Sequence, residues 1–248
     1  MLAPAKVNLT LEILGRRTDG YHNLASIMHT LELADEIVIR RSDQPGLTCS
    51  EPVLATDNLA WRAVEAMAQL HRRPVDVVVD LHKRIPISGG LGGGSSDAAA
   101  VIRGLCALWG LPFEPGEYVG LAAQLGSDVP FFLFGGAALV EGRGERITPL
   151  PSLPSLPVML LPGAVRFERK TAALFQRLRP EHWGDGRATA RLLRSWPDAA
   201  ALRAPSRLVN TFEAIADEVF GDFAARRGAA LAAGARSVHL SGAGPTLF

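Results

Sequence analysis

Cysteine is scarce: Cys49 and Cys106 are the only two in 248 residues, and no CxxC or Cys/His cluster occurs. A disulfide framework and a structural zinc site are excluded on that count. Cys106, inside the apolar run LCALWG, reads as a small buried hydrophobe. An excess of either charge is also lacking, with 26 Lys+Arg against 25 Asp+Glu and a net charge of +1. The basic residues come as isolated pairs (Arg40-Arg41, Arg72-Arg73, Arg226-Arg227), so the basic stripe of a nucleic-acid binder is missing. The long uncharged stretch from Ile147 to Val165 carries Pro149, Pro151, Pro154, Pro157 and Pro162, which rule it out as a membrane helix. The N-terminal MLAPAKVNLTLEIL has neither the basic segment nor the apolar core of a signal peptide. A cytoplasmic protein is therefore expected, with neither nucleic acid nor membrane as partner.

What is abundant is glycine, 25 residues, and it is clustered. Five of the six positions in GGLGGG at 89–94 are glycine. Clustered glycine lets a backbone approach a ligand closely. Around this cluster the pattern alternates between strand and helix periods. Val7, Leu9, Leu11 and Ile13 alternate with Asn8, Thr10 and Glu12, predicting a half-buried strand. Further strand-like sequence runs through Ile37-Val38-Ile39. A helix is expected over 58–71, with Asp57 as N-cap and Leu59, Ala63, Met67 and Leu70 on its buried face. A strand is expected over 75–81, and a helix opening at Ser95, Ser96 and Asp97 and ending at Gly110. A second helix covers 116–125, strands are expected at 158–161 and 237–240, and helices lie between 171 and 233. The Pro-rich stretch 149–157 marks a boundary between two unequal halves of an α+β protein.

Four segments carry chemistry. In the first, a strand leads through the glycines into Ser95, Ser96 and a helix, so that backbone N–H groups and the positive helix end face an anion. The serine hydroxyls could donate to phosphate or offer oxygen to magnesium. No Lys-Ser or Lys-Thr follows the glycines, so this is no P-loop, and the dinucleotide spacing is also missing. In the second, Lys6 and Asn8 share one side of a strand, where they could serve phosphate or substrate hydroxyls; taken alone, a solvated edge strand is the plainer reading. In the third, Asp128 stands at a loop-to-strand junction in GSDVPFF, where its surroundings could control its charge or where it could simply form a turn. The fourth is SGAGP at 241–245, a tight hairpin or a ligand loop.

Taken together, PAKVNL, PISGGLGGGSSDAA and SGAGPTLF resemble, in order and spacing, the three motifs of the GHMP small-molecule kinases. DGYHNL, DNLAWRA, GSDVPFF and EGRGE narrow the resemblance to the branch acting on a cytidine-diphosphate-linked methylerythritol, in the non-mevalonate route to isoprenoid precursors. The resemblance implies a two-domain GHMP kinase fold. A ribosomal-protein-like α+β domain would occupy 1–152 and a ferredoxin-like α+β domain 153–248. Family members continue past the third motif with another helix and strand, so the second domain is expected to be incomplete at its C-terminus.

The resemblance also implies roles. ATP, with Mg2+, would give its γ-phosphoryl group to a substrate hydroxyl. Asp128 would take the hydroxyl proton, and Lys6 beside it would stabilise charge developing on the phosphoryl group. Pro86, Gly89, Gly90, Leu91, Gly92, Gly93, Gly94, Ser95 and Ser96 would form the phosphate cradle, with Asn58 and Lys83 near adenine and ribose. Tyr21 and His22 would meet the cytosine, Phe175 would stack on it four residues after Thr171, and Asn8, the backbone near Arg143, Gly242 and Gly244 would add substrate contacts. The metal ligands stay open. A homoserine, mevalonate or sugar kinase of the same superfamily is one alternative, and a non-catalytic binding protein on the same fold is another.

Overall fold

The computed structural model describes residues 1–51, 57–163, 170–203 and 207–248. Of the stretch 147–165 considered above, residues 164 and 165 lie outside these. The chain divides into two compact units. The first comprises Met1–Lys6, Thr30–Pro86 and Gly92–Gly135; the second comprises Val7–His29, Ile87–Leu91 and Gly136–Phe248. The units interleave along the chain, because two long strands, β1 (Leu2–Arg16) and β2 (His22–Arg41), each contribute residues to both.

In the first unit, residues 36–41 of β2 pair antiparallel with β4 (Val77–His82), and β3 (Gly46–Cys49) lies parallel to β4. Helix α1 (Leu59–Leu70) packs on α2 (Gly93–Trp109), which also meets α3 (Pro115–Leu125) and α4 (Val129–Phe134). The α1 cap is Asn58, not Asp57: its side-chain oxygen accepts from the Ala60 N–H at 2.9 Å, while Asp57 adopts a φ of 52°. The buried stripe of α1 is Ala60, Ala63, Val64, Met67 and Ala68, so the helix is rotated from its expected face and Leu70 is exposed. The small residues let α1 approach α2 closely, and Cys106 on α2 is buried as expected.

Two starts differ from the sequence reading. Helix α2 begins at Gly93, two residues early, because Gly92 caps it in the left-handed conformation. Asp128 precedes a helix, α4, and not a strand. Pro130 lies in the first turn of α4, where its missing N–H costs nothing and its fixed φ suits the helix.

In the second unit, residues 24–29 of β2 pair antiparallel with β5 (Ala137–Gly142), and β5 pairs with β6 (Arg146–Leu150). Strand β1 takes β7 (Val209–Asn210) in parallel. Helices α5 (Lys170–Arg177), α6 (Arg187–Arg194), α7 (Ala216–Phe220) and α8 (Phe223–Ala232) complete it. The core gathers Leu11, Ile13, Leu174, Phe212, Ile215, Phe220, Leu240 and Leu247. The expected strands at 158–161 and 237–240 reduce to single bridges, Leu161 with Leu247 and Leu240 with Leu247. Repeated prolines remove the donors that a longer ladder over 151–161 would need.

The half-buried strand is corrected as well. Polar Thr10 and Glu12 of β1 are as buried as their apolar neighbours. Buried polar groups require partners, and here Thr10 Oγ1 accepts from the Ile27 N–H at 2.9 Å and from Thr189 Oγ1 at 3.0 Å. The Glu12 carboxylate accepts from the Gly186 and Thr189 N–H groups at the start of α6, at 3.2 and 2.7 Å. No helix among the described residues is long and apolar enough to cross a membrane.

Candidate active site

Strand β1 places Lys6 with its side chain almost wholly buried, and the N-terminus of α4 places Asp128 against it. Lys6 Nζ lies 3.5 Å from Asp128 Oδ2, with side-chain exposures of 3% and 33%. The carboxylate is thus accessible while the ammonium is held from behind. The start of α2 adjoins this pair: a methyl group at Gly92 would stand 3.1 Å from Lys6 Cγ and 2.7 Å from the Phe132 ring. With a φ of 74°, Gly92 is required both by conformation and by space. The first-turn N–H groups of α2 have no intrahelical acceptor. No acidic residue occupies that turn, and Gly92 offers no capping side chain. Ser96 is fully buried, and its hydroxyl has no hydrogen-bond partner among the described residues. An orphaned hydroxyl beside free helix N–H donors fits a phosphate group. Ser95 is half-buried and Gly94 exposed in the same turn, and Gly93 opens the helix.

Lys83 also belongs to the first unit, but it faces two carboxylates. Its Nζ donates to Asp35 and, at 2.6 Å, to Asp97 Oδ2. The β2–β4 register explains the first pairing, since Glu36 opposes His82 and the next step brings Asp35 opposite Lys83. Two carboxylates share one ammonium in a desolvated site. Burial pushes the Asp97 carboxyl up to about 7, opposed by the Lys83 charge and reinforced by Asp35. The paired carboxylates raise the Lys83 pKa against the effect of burial. Asn58 serves as the α1 cap, and Pro86 closes the segment leaving β4.

In the second unit, the segment Gly89–Leu91 packs on the third motif. The Gly89 carbonyl accepts from the Thr246 N–H at 3.2 Å, and the Gly90 carbonyl accepts from the Ser241 hydroxyl at 3.1 Å. A methyl at Gly90 would collide with the Ser241 carbonyl at 2.1 Å. Leu91 is buried. The Asn210 amide donates to the Gly242 carbonyl at 2.8 Å, and the Gly244 N–H to the Ser241 carbonyl at 2.8 Å, so 241–245 is a tied turn. Asn8 is buried and donates to Ser26 Oγ at 2.9 Å.

The aromatic residues pair as well. His22 and Phe175 stack with ring centroids 4.7 Å apart and planes at 20°. Burial, then the Arg16 charge, lowers the His22 pKa, favouring the neutral ring that can both donate and accept. Phe175 is braced edge-on by Phe212 at 5.1 Å. Thr171 lies exposed one turn earlier on α5. The Arg143 guanidinium covers the Tyr21 ring at 4.4 Å, and the Arg143 N–H donates to Glu145 Oε2 at 2.6 Å. A cavity of about 380 Å³ adjoins these residues in sequence, lined by Leu14, Arg17, Asn23, Leu24, Gly142, Glu145 and Arg146.

Sequence reasoning missed Asp35 and Asp97 as partners of Lys83, because no spacing links positions drawn from two strands and a helix. The strand alternation did hold the signal for Asp35, once β2 and β4 were registered. Among the described residues, no group of three or more His, Cys, Asp or Glu could hold a metal ion.

Residues 58–136 match the family model of the GHMP kinases N terminal domain. The chain is similar to the 4-diphosphocytidyl-2-C-methyl-D-erythritol kinase of Dehalococcoides mccartyi, 42% identical over 250 residues that cover 100% of this chain and 87% of that protein. A crystal structure of a 4-(cytidine 5'-diphospho)-2C-methyl-D-erythritol kinase shares 36% identity at a TM-score of 0.80, over 100% of this chain and 88% of that one. The L. major mevalonate kinase in complex with R-mevalonate shares the fold at a TM-score of 0.70 and 15% identity, over 99% and 85% of the two chains. Whole-chain identity at this level, joined to the same fold, means that the chain belongs to the 4-diphosphocytidyl-2-C-methyl-D-erythritol kinases, a family of the GHMP kinases.

Proposed function

We propose that this protein transfers the γ-phosphoryl group of ATP to a hydroxyl of 4-diphosphocytidyl-2-C-methyl-D-erythritol, a step toward isoprenoid precursors by the non-mevalonate route. The observation that carries the reading is the Lys6–Asp128 pair at 3.5 Å beside the open first turn of α2. Asp128 accepts the hydroxyl proton as the substrate oxygen bonds to the γ-phosphorus. The bond to the bridging oxygen breaks, and its electron pair leaves with ADP. Lys6 neutralises charge spreading over the transferring group, the kind of fixed electrostatic help on which phosphoryl transfer depends.

The first turn of α2 receives phosphate oxygens on its N–H groups and the Ser96 hydroxyl. Mg2+ would be held chiefly by the ATP phosphates and water, as is characteristic of the ion. The Ser96 hydroxyl, its proton directed to phosphate, would offer its oxygen to the ion. The ion would supply further neutralisation of phosphate charge. His22 in its neutral form hydrogen-bonds the cytosine edge, and Phe175 and Tyr21 offer apolar faces to the base.

Assaying the purified protein with Mg-ATP against the cytidylyl substrate, mevalonate and homoserine tests this directly. Phosphorylation of the cytidylyl substrate alone is expected. Turnover of mevalonate or homoserine without it overturns the proposal.

A further inference from the structure

The Lys83 cluster stands behind the turn assigned above to nucleotide phosphates, and its architecture has a direction. Asp35 uses one carboxylate oxygen for the Lys83 ammonium and the other for two backbone groups, accepting from the Arg84 and Ile85 N–H at 2.5 and 2.8 Å. The segment leaving β4 is thereby fixed at two consecutive peptides. On the other side, Lys83 reaches Asp97, the fifth residue of α2, at 2.6 Å. It also lies close to the first residue of that helix: a methyl placed at Gly93 would stand 3.2 Å from Lys83 Nζ and 3.2 Å from Ile85 Cγ2. All three side chains are almost completely buried. One ammonium thus joins the strand that enters the glycine segment to the helix that leaves it.

We infer that Asp35 and Asp97 are positioning residues for nucleotide binding, acting through Lys83 to set the first turn of α2 against the segment leaving β4. The inference rests on reading that turn as the phosphate site. Neither carboxylate touches a reacting atom. Their effect passes through Lys83, Gly93 and the neighbouring Ser96, whose unpartnered hydroxyl is adjacent in sequence to Asp97. A donor array of this kind works only while its geometry holds, and a displacement of about 1 Å can cost on the order of 100-fold in rate. A buried charge that loses one partner relaxes toward water or toward another group. Here such relaxation would pull Lys83, and with it the first turn of α2.

The test compares Asp35→Asn, Asp97→Asn and the wild-type protein. Both substitutions keep side-chain shape while removing charge. A non-hydrolysable ATP analogue is titrated by calorimetry, and the KM values for ATP and for the cytidylyl substrate are measured separately. Circular dichroism and the thermal midpoint without nucleotide establish which variants fold. In a folded variant, the analogue Kd and the ATP KM are expected to rise roughly tenfold or more, with the cytidylyl KM within about twofold of wild type. Lys83→Arg, which keeps the charge and can pair with both carboxylates, should retain more of the ATP affinity than Lys83→Met. If Asp35→Asn fails to fold, Asp97→Asn decides alone, since Asp35 also holds the Arg84 and Ile85 N–H groups and its loss perturbs the backbone directly. An analogue Kd within twofold of wild type in folded Asp97→Asn overturns the inference, as does an equal rise of both KM values. Failure of the wild-type protein itself to bind the analogue overturns the reading of the turn, and the inference falls with it.

Discussion

At Asp128 a side chain one-third exposed is held 3.5 Å from an almost fully buried lysine. The carboxylate can meet a substrate while its neighbour cannot swing away. Asp128→Ala removes the proton acceptor but leaves the α2 turn intact, so turnover should fall by about 100- to 10,000-fold with ATP-analogue binding within about twofold. Rapid-quench turnover and calorimetry on the same preparation check this; unchanged turnover removes Asp128 from the proton transfer. Asp97 carries a different signature. Its pKa is raised from an ordinary 3.8 to about 7 by burial, so the folded protein binds a proton that the unfolded chain releases between those values. The stabilising contribution is full below about pH 4 and is lost as pH rises through 7. Lys83, also raised, loses its contribution only above its ordinary 10.5, outside this window. Wild-type stability relative to Asp97→Asn should therefore decline from pH 5 to pH 8 in urea unfolding. Parallel pH profiles for the two proteins would contradict the assignment.

Among the elements, the start of α2 is decided by one glycine. Gly92 has a φ of 74° and a ring against the place of its missing methyl. Left-handed backbone costs an alanine about 1–2 kcal/mol before any clash. Gly92→Ala should lower the thermal midpoint by about 5 °C and weaken ATP binding together with it, because Phe132 and the helix start must both shift. A midpoint unchanged by this substitution would mean that the turn relaxes freely and is no rigid cradle. The start of α2 was readable to within two residues from glycine and serine alone. Its true cap was not, because Ser95 and Asp97 look like caps in sequence while Gly92 owes its role to a conformation. Similarly, Asp57 and Asn58 are both good cap types; the φ of 52° at Asp57 settles the choice. The strand expected at 158–161 shortens to one bridge, Leu161 with Leu247, between Pro157 and Pro162, which have no N–H to extend a ladder on either side.

For the whole molecule, the relation to a mevalonate kinase at a TM-score of 0.70 with 15% identity separates scaffold from specificity. A fold shared that widely does not select a substrate. Under the proposed function selection falls to a few side chains, and the stacked His22 and Phe175 are the pair proposed to meet the cytosine. Replacing both with alanine should raise the KM for the cytidylyl substrate by about 5- to 30-fold, the loss of a base stack worth about 1–2 kcal/mol. The ATP KM should not follow, and no mevalonate turnover should appear. Equal loss for ATP would assign the pair a purely structural role.

The α+β class, the glycine turn before a helix and the three motifs in their order follow from this sequence by itself. These features are local, and strand period, helix caps and glycine clustering encode them within a few residues. The motifs already implied Lys6 beside Asp128, and the fold supplies the 3.5 Å distance; tertiary structure alone decided that His22 stacks on Phe175, that Lys83 is shared by Asp35 and Asp97, and that the polar side of β1 is buried. Each of those depends on strand register or on packing between distant segments. A residue's own neighbours in sequence do not determine which distant partner fills the space around it.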